Sequence, residues 1–305
     1  MATTLRWINP SNAEIDVYRS TEPLDRAALG EPVARLPAGA IEYVDTGTLF
    51  GLTYYYVIVA RKGEHQAISK VYVIEDAPRR GTGPNKLQYG NFDYGYFGSC
   101  TSMDFIDTRR LMNEVGLNAG IVNVETPIWH KFIRNNKVIF VPDNTLVNSI
   151  SWTTLYNAGL VYGIDAPYHE GQPYIPNPAP VNQLKTVTIE GDRYIVRLMR
   201  GFSDDVTVEP AANGTEDNSA TWPSNEWDDF MYPMSSKQTP VKQRMPKVAL
   251  MEVFGYTAVQ ELYSSTTVVR RGASTLPTGY ANVSINVGTA SYIWRPVLEL
   301  IEGGN

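Results

Sequence analysis

Tyr54, Tyr56, Ile58 and Ala60 fall at every second position of one run, and Ile15 and Val17 repeat the spacing earlier in the chain. A period of two lines up side chains on one face of an extended strand, whereas a helix would scatter them around its axis. Turn signals at Asn9-Pro10, Gly30, Pro37, Gly47 and Gly51 punctuate this region. With 24 Gly, 20 Pro and 19 Tyr, the chain as a whole favours strands, turns and loops over helical bundles. Hydrophobic residues at 43% and charged residues at 19% allow a buried core, so the chain is not disordered by composition. Its 305 residues suffice for two domains, or for one domain with a smaller module.

The net charge of −6 removes the global attraction to phosphate on which nucleic-acid binding depends. The densest basic pairs, Arg79-Arg80 and Arg270-Arg271, do not restore it locally, so no nucleic-acid partner is expected. Cys100 stands alone, which excludes an intrachain disulfide framework and a cysteine-rich zinc site. It reads as a small buried residue, with a reactive thiol as the alternative. The opening MATTLRWINPSN lacks a basic stretch followed by an apolar run, so no secretory leader is expected and synthesis in a cytoplasm is. No stretch approaches the roughly 18 apolar residues of a membrane span, and no membrane insertion is expected.

Three regions follow from the punctuation. Residues 1–76 read as a small β-sandwich, 77–86 as a Gly- and Pro-containing linker, and 87–305 as an α+β domain. Gly81-Thr82-Gly83 in the linker lacks the Lys-Ser/Thr of a phosphate loop, and no helix follows it. Beyond the linker, Ser102 or Asp104 is placed to cap a helix running to Val115, with Gly116 as its stop. Trp129–Pro142 reads as a hairpin turned at Asn135-Asn136, residues that tolerate positive φ. Ser149–Gly159 reads as a second helix capped by Ser149 or Ser151. Pro167, Pro173, Pro176, Pro178 and Pro180 then forbid a central strand or helix. Thr186–Ile189 and Arg193–Leu198 pair around Gly191-Asp192.

The run DTGTLFGLTYYYVIVA, Asp45–Ala60, resembles the end of strand E, the corner and strand F of a fibronectin type III domain. That resemblance implies Tyr54 as the corner tyrosine, its hydroxyl returning to the upstream backbone, and Val71–Ile74 as the last strand. Further along, Trp129–Phe132, NKVIFVP, SISW, YNAGLVYG, IEGDRYIVRLMRG, NEWDDFMYP, RRG and WRPVLEL follow in order. Together they resemble a domain of tailed-bacteriophage virion proteins. The closing RRG…WRPVLEL resembles the C-type-lectin-like fold shared with formylglycine-generating enzymes and phage receptor-binding proteins. What the resemblance implies is a small all-β sandwich followed by an α+β C-type-lectin-like domain, carried on a phage particle. The departures inform as well. No cysteine follows Cys100, whereas the enzymatic branch of that fold uses a pair near its C-terminus. Glu209-Pro210-Ala211 and Trp227-Asp228-Asp229 match neither motif of calcium-dependent sugar-binding lectins.

The residues themselves offer little chemistry. His65, His130 and His169 lie on separate segments without metal-ligand spacing. No Gly-x-Ser-x-Gly elbow occurs, and Cys100 lacks a protease signature. The acid pairs Asp204-Asp205, Glu216-Asp217 and Asp228-Asp229 read as solvated loop acids, because glycoside hydrolysis needs a defined separation. A calcium loop around Asp204–Asp217 lacks regular spacing. No catalytic residue, cofactor or metal is therefore assigned. Tyr54, Trp129, Trp152, Trp227, Arg271, Trp294 and Arg295 read as structural core, with Glu226 and Glu299 as candidate carboxylate partners for the arginines. Gly272–Tyr292 is almost free of charge and mixes Ser, Thr, Asn, Gly and Tyr, as recognition loops do. Its candidate face is Tyr280, Asn282, Ser284, Asn286 and Tyr292.

Two functions of different class remain. One is a structural or accessory virion protein of tail, neck or capsid decoration, oligomerising and docking onto other virion proteins. The other is an adhesin recognising a host glycan or protein through its C-terminal face. A cell-wall hydrolase is remote, since no catalytic set appears.

Overall fold

A computed structural model describes residues 3–48, 52–75, 81–210, 223–235, 256–272, 280–288 and 293–301. The chain is mostly β and divides into two compact units, Met1–Arg79 and Arg80–Asn305.

In the first unit, β1 (Thr3–Arg6) pairs antiparallel with β4 (Glu42–Asp45) as a two-stranded sheet. A five-stranded sheet is built on β2 (Glu14–Ser20), β3 (Ala34–Leu36) and the long β5 (Thr53–Lys62). The two halves of β5 pair with different strands, β6 (His65–Ile68) and β7 (Tyr72–Glu75). The period of two sorts its side chains. Tyr54 and Tyr56 join Leu5, Ile15 and Val17 in one core, while Val57 and Val59 join Tyr18 in a second core on the other face. Tyr54 is buried with the Arg19 guanidinium 5.3 Å from its ring centre. The Tyr56 hydroxyl also reaches upstream, donating to Asp45 Oδ2 at 2.9 Å.

The described residues of the second unit form two sheets. One orders β8 (Tyr89–Gly90), β9 (Tyr94–Thr101), β11 (Ile128–Arg134), β12 (Lys137–Pro142), β20 (Val297–Leu300), β15 (Asp192–Arg197) and β14 (Thr186–Ile189), all antiparallel. The other orders β10 (Ile121–Val122), β13 (Val147–Asn148), β19 (Ile293–Trp294), β16 (Thr257–Ser264), β17 (Thr267–Arg271) and β18 (Tyr280–Ser284). The hairpin turns need residues that accept positive φ, and Asn135-Asn136 (48° and 64°) and Glu190-Gly191 (49° and 84°) supply them. Trp129, Trp152 and Trp294 share one large core. Trp227 anchors a second with Phe132, Phe230 and Met231.

Among the described residues the helices are short. α1 (Thr108–Val115) begins at Asp107, whose carboxylate accepts from Arg110 N at 2.9 Å, and ends on Gly116 at φ 73°. Neither Ser102 nor Asp104 is the cap. Asp104 is held in a preceding turn, its carboxylate accepting from Thr101 Oγ1 at 2.7 Å. α2 (Trp152–Asn157) is capped by Ser151, and Gly159 follows at φ 76°. α3 (Glu226–Met231) starts from Asn225, whose side chain accepts from Asp228 N.

Residues 81–86, read above as linker, pack into the second unit. The fully buried Lys131 ammonium donates to Gly81 O at 3.3 Å, Thr82 O at 2.9 Å and Asn85 Oδ1 at 3.1 Å. At Gly81 (φ 66°) a Cβ would come within 2.6 Å of the Tyr194 hydroxyl, so only glycine fits this close approach.

Candidate functional site

Several charged side chains of the second unit converge on a cleft between the β11–β12 hairpin, β15, β20 and α3. Arg197 is its centre. Its Nη1 and Nη2 donate to Glu226 Oε2 and Oε1 at 2.7 and 2.6 Å, and its Nε and Nη2 donate to Glu299 Oε2 at 3.0 and 2.8 Å. Lys137 Nζ lies 2.6 Å from the other Glu299 oxygen, and Arg200 N donates to Glu226 at 2.9 Å. A second centre is Arg134, with Nε on Asp229 at 2.7 Å and Nη2 on Asp204 at 2.6 Å. Hydrogen-bonded charge pairs of this kind are the arrangement in which buried charges are tolerated.

Burial alone would raise the Glu226 carboxyl, but the charge and hydrogen bonds of Arg197 outweigh it and hold it down to about 2. Glu299 is lowered too, the Arg197 and Lys137 charges overcoming burial. Burial would lower the Arg134 and Arg197 guanidinia, yet their carboxylates raise both. Every one of these groups therefore keeps its charge across the neutral range. His169, at the rim, is lowered by burial and by Arg200, and its Nε2 sits 3.4 Å from Gln260 Oε1.

The open space beside this network is about 300 Å³. Its lining includes Arg134, Arg197 and Arg200 together with Ile164 and Ile195. Tyr162, His169, Arg200 and Gln260 also line a narrower pocket that runs on towards Tyr174 and Leu262.

The C-terminal candidate face is divided. Tyr280 opposes Arg271 in the β17–β18 register, is only 7% exposed and packs 6.1 Å from the Phe202 ring centre. It cannot offer the exposed contact area expected of it, because β18 turns it inward. Asn282 is half-buried, while Ser284 and Asn286 are exposed, with Asn286 Oδ1 accepting from Thr153 Oγ1 at 2.7 Å. Tyr292 lies outside the described residues.

Arg271 and Arg295 do not take the expected partners. Arg271 Nη2 donates to Asp228 at 2.9 Å, and Nη1 to Gly201 O at 2.5 Å. Arg295 is fully buried, has Met231 Sδ 3.7 Å from Nη1, and leaves Nε and Nη2 without a hydrogen bond. Burial lowers its guanidinium to about 10, with only partial compensation from Asp143. Glu226 and Glu299 belong instead to Arg197, which sequence reasoning did not single out. The one signal was an Arg inside an apolar strand, IVRLM at Ile195–Met199, that had to find acids elsewhere.

The remaining polar candidates are separate. His65 lies in the first unit, and His130 is buried in β11 with Nδ1 3.0 Å from the Tyr96 hydroxyl. Burial, reinforced by Arg295, pushes His130 down to about 4. Among the described residues, no group of three or more His, Cys, Asp and Glu side chains is placed to hold a metal. Burial raises the Cys100 thiol to about 11, which keeps it protonated. Asp205 serves a turn with Thr207, and Asp228 serves Arg271 and Asn225. Glu216-Asp217 lie outside the described residues. Comparison with protein-family models, with curated proteins and with solved structures gives no significant match.

Proposed function

We propose that the chain is a structural or accessory component of a tailed-bacteriophage virion, in tail, neck or capsid decoration, that works by docking. The observation that carries this reading is the apolar surface of the first unit. Ile8 is 90% exposed and Ile41 61%, and Val44, Tyr72 and Val73 are exposed as well. Ile41 O accepts from Trp7 N at 3.0 Å, so Ile8 and Ile41 belong to neighbouring chain segments. Exposed apolar side chains such as Ile8 and Tyr72, which line one groove, are stabilised when a neighbour buries them.

The virion setting rests on the ordered motifs from Trp129 to Leu300 and their resemblance to a phage domain. The proposed architectures are a fibronectin type III-like first unit and a C-type-lectin-like second unit. The partners proposed are other virion proteins and further copies of this chain. The second unit supports a non-catalytic role, because its cleft carboxylates and guanidinia are committed to one another with fixed charge. An adhesin reading draws on exposed Ser284 and Asn286 near the C-terminal face.

Replacing Ile8 and Ile41 by Asp in the intact gene separates the two readings. Docking predicts particles that lose the chain although the purified variant melts as the parent does. Wild-type incorporation of that variant would sink the docking reading. Normal incorporation of a Ser284→Ala/Asn286→Ala variant with lost cell adsorption would establish the adhesin instead.

A further inference from the structure

We propose that the chain assembles head to tail, the first unit of one copy seating on the second unit of the next. This assembly rests on the docking reading of the first unit's apolar surface, and it names the surface that receives it. Among the described residues, the two most exposed large hydrophobic side chains are Met103, at 94%, and Ile8, at 90%. Each stands beside a groove that it helps to line. Ile8, Trp7, Ile68 and Tyr72 line one of about 350 Å³, wholly in the first unit. Met103, Ile128 and Pro84 line another of about 670 Å³, wholly in the second. One copy thus carries two apolar projections and two recesses, each recess with room for such a side chain.

Charge makes a second copy the occupant. Among the described residues, the lining of the first-unit groove holds no charge, and two lysines flank it. Lys62 Nζ donates to Ser11 O of the lining at 2.6 Å, and Lys70 Nζ lies 5.2 Å from the ring centre of Tyr72. The second-unit groove has the opposite sign: its charged lining residues are Asp104 and Glu190, with no cation among those described. Two first units would bring lysines against lysines, and two second units acids against acids, so like surfaces repel. First unit against second sets lysines opposite carboxylates, with Met103 in the first-unit groove and Ile8 in the second-unit groove. Apolar anchors seated in pockets inside a polar rim carry most of the binding energy at protein interfaces.

Both projections are fixed before contact. Met103 sits in the turn closed by Asp104 N and Phe105 N on Thr101 O, at 3.2 and 3.1 Å. Ile8 is flanked by Trp7, whose N donates to Ile41 O at 3.0 Å and whose Nε1 donates to Ala40 O at 2.8 Å. On its other side Asn9 Nδ2 donates to Ala13 O at 2.8 Å. Anchors held in this way lose little freedom on binding. Because the two surfaces differ and each copy offers one of each, the contact repeats. Such a heterologous interface closes into a ring where the rotation allows it and extends as a filament where it does not.

The test is analytical sedimentation of the purified full-length chain over a concentration series, at low and at high salt. The expected result is a mass that rises with concentration and falls back with salt. Ile8→Asp and Met103→Asp should each weaken association by about tenfold or more, at an unchanged melting temperature. Mixed in equal amounts, the two variants should form dimers and nothing larger, because each keeps the surface that the other lacks. Lys70→Glu or Glu190→Lys alone should weaken association, and the two together in one chain should restore it. If an aspartate variant fails to fold, this charge pair carries the test. A chain that stays monomeric at every concentration overturns the proposal, as does a Met103→Asp variant that associates like the parent or a mixture that stays monomeric. A monomeric chain whose Ile8→Asp/Ile41→Asp variant is lost from particles sinks head-to-tail assembly alone and leaves the docking reading standing. Association in solution together with wild-type incorporation of that variant does the reverse.

Discussion

The guanidinium of Arg197 meets the carboxylate of Glu226 end-on, two nitrogens against two oxygens at 2.7 and 2.6 Å, both side chains buried. This pair ties β15 to α3, and through Glu299 to β20. Arg197→Met should leave two buried carboxylates without their cation and destabilise the protein by about 3–5 kcal/mol. Denaturant titration of the variant checks it. A loss below about 1 kcal/mol would mean the network is dispensable.

The same pair predicts a response to acid. An unfolded glutamate titrates near about 4.3, whereas folded Glu226 sits at about 2. The unfolded chain therefore takes up the proton first on acidification. Stability from this group is complete above about pH 4.3 and is lost as pH falls towards about 2. Glu226→Gln should remove that segment of the stability–pH curve.

His130 acts in a higher window. Its folded value of about 4 lies below the unfolded value near about 6.5, so the unfolded state again binds the proton more readily. Stability should decline as pH drops from about 6.5 to about 4, and His130→Phe should flatten that interval. His130 ring NMR shifts that titrate near neutrality would contradict this.

Arg295 and Trp227 should respond in opposite ways. Arg295 lacks a carboxylate hydrogen bond, so Arg295→Met should leave stability within about 1.5 kcal/mol of the parent or raise it. Trp227→Ala empties a packed site and should cost about 3–5 kcal/mol. Thermal melts of both variants decide it.

A boundary experiment tests Lys131. A fragment spanning 81–305 keeps the Gly81 and Thr82 carbonyls on the buried ammonium; one spanning 85–305 loses them. The shorter fragment should be less stable by about 2–3 kcal/mol. Equal melting of the two would show that Lys131 finds other partners.

Local features were legible in the sequence and distant ones were not. Asn135-Asn136 marks its hairpin because the turn needs positive φ, and Gly116 and Gly159 mark helix ends for the same reason. The α1 start was missed because Asp104 and Asp107 both suit a cap, and only the Thr101–Asp104 turn decides between them. Lys131 and Arg197 were missed because their partners lie dozens of residues away; nothing local distinguishes Glu226 as a partner of Arg197 from Glu226 as a partner of Arg295. Tyr280 was misjudged because composition suggests a loop, while strand register turns its ring inward.

The position of β20 has a consequence for how the second unit is made. Val297–Leu300, the latest described strand in chain order, sits between β12 and β15. Until it arrives, those two strands present bare backbone edges to any passing strand, including that of another nascent copy. Closing the sheet waits on a pairing that spans more than a hundred residues, which slows folding and lengthens that exposure. A ribosome that stalls before Val297 leaves both edges open.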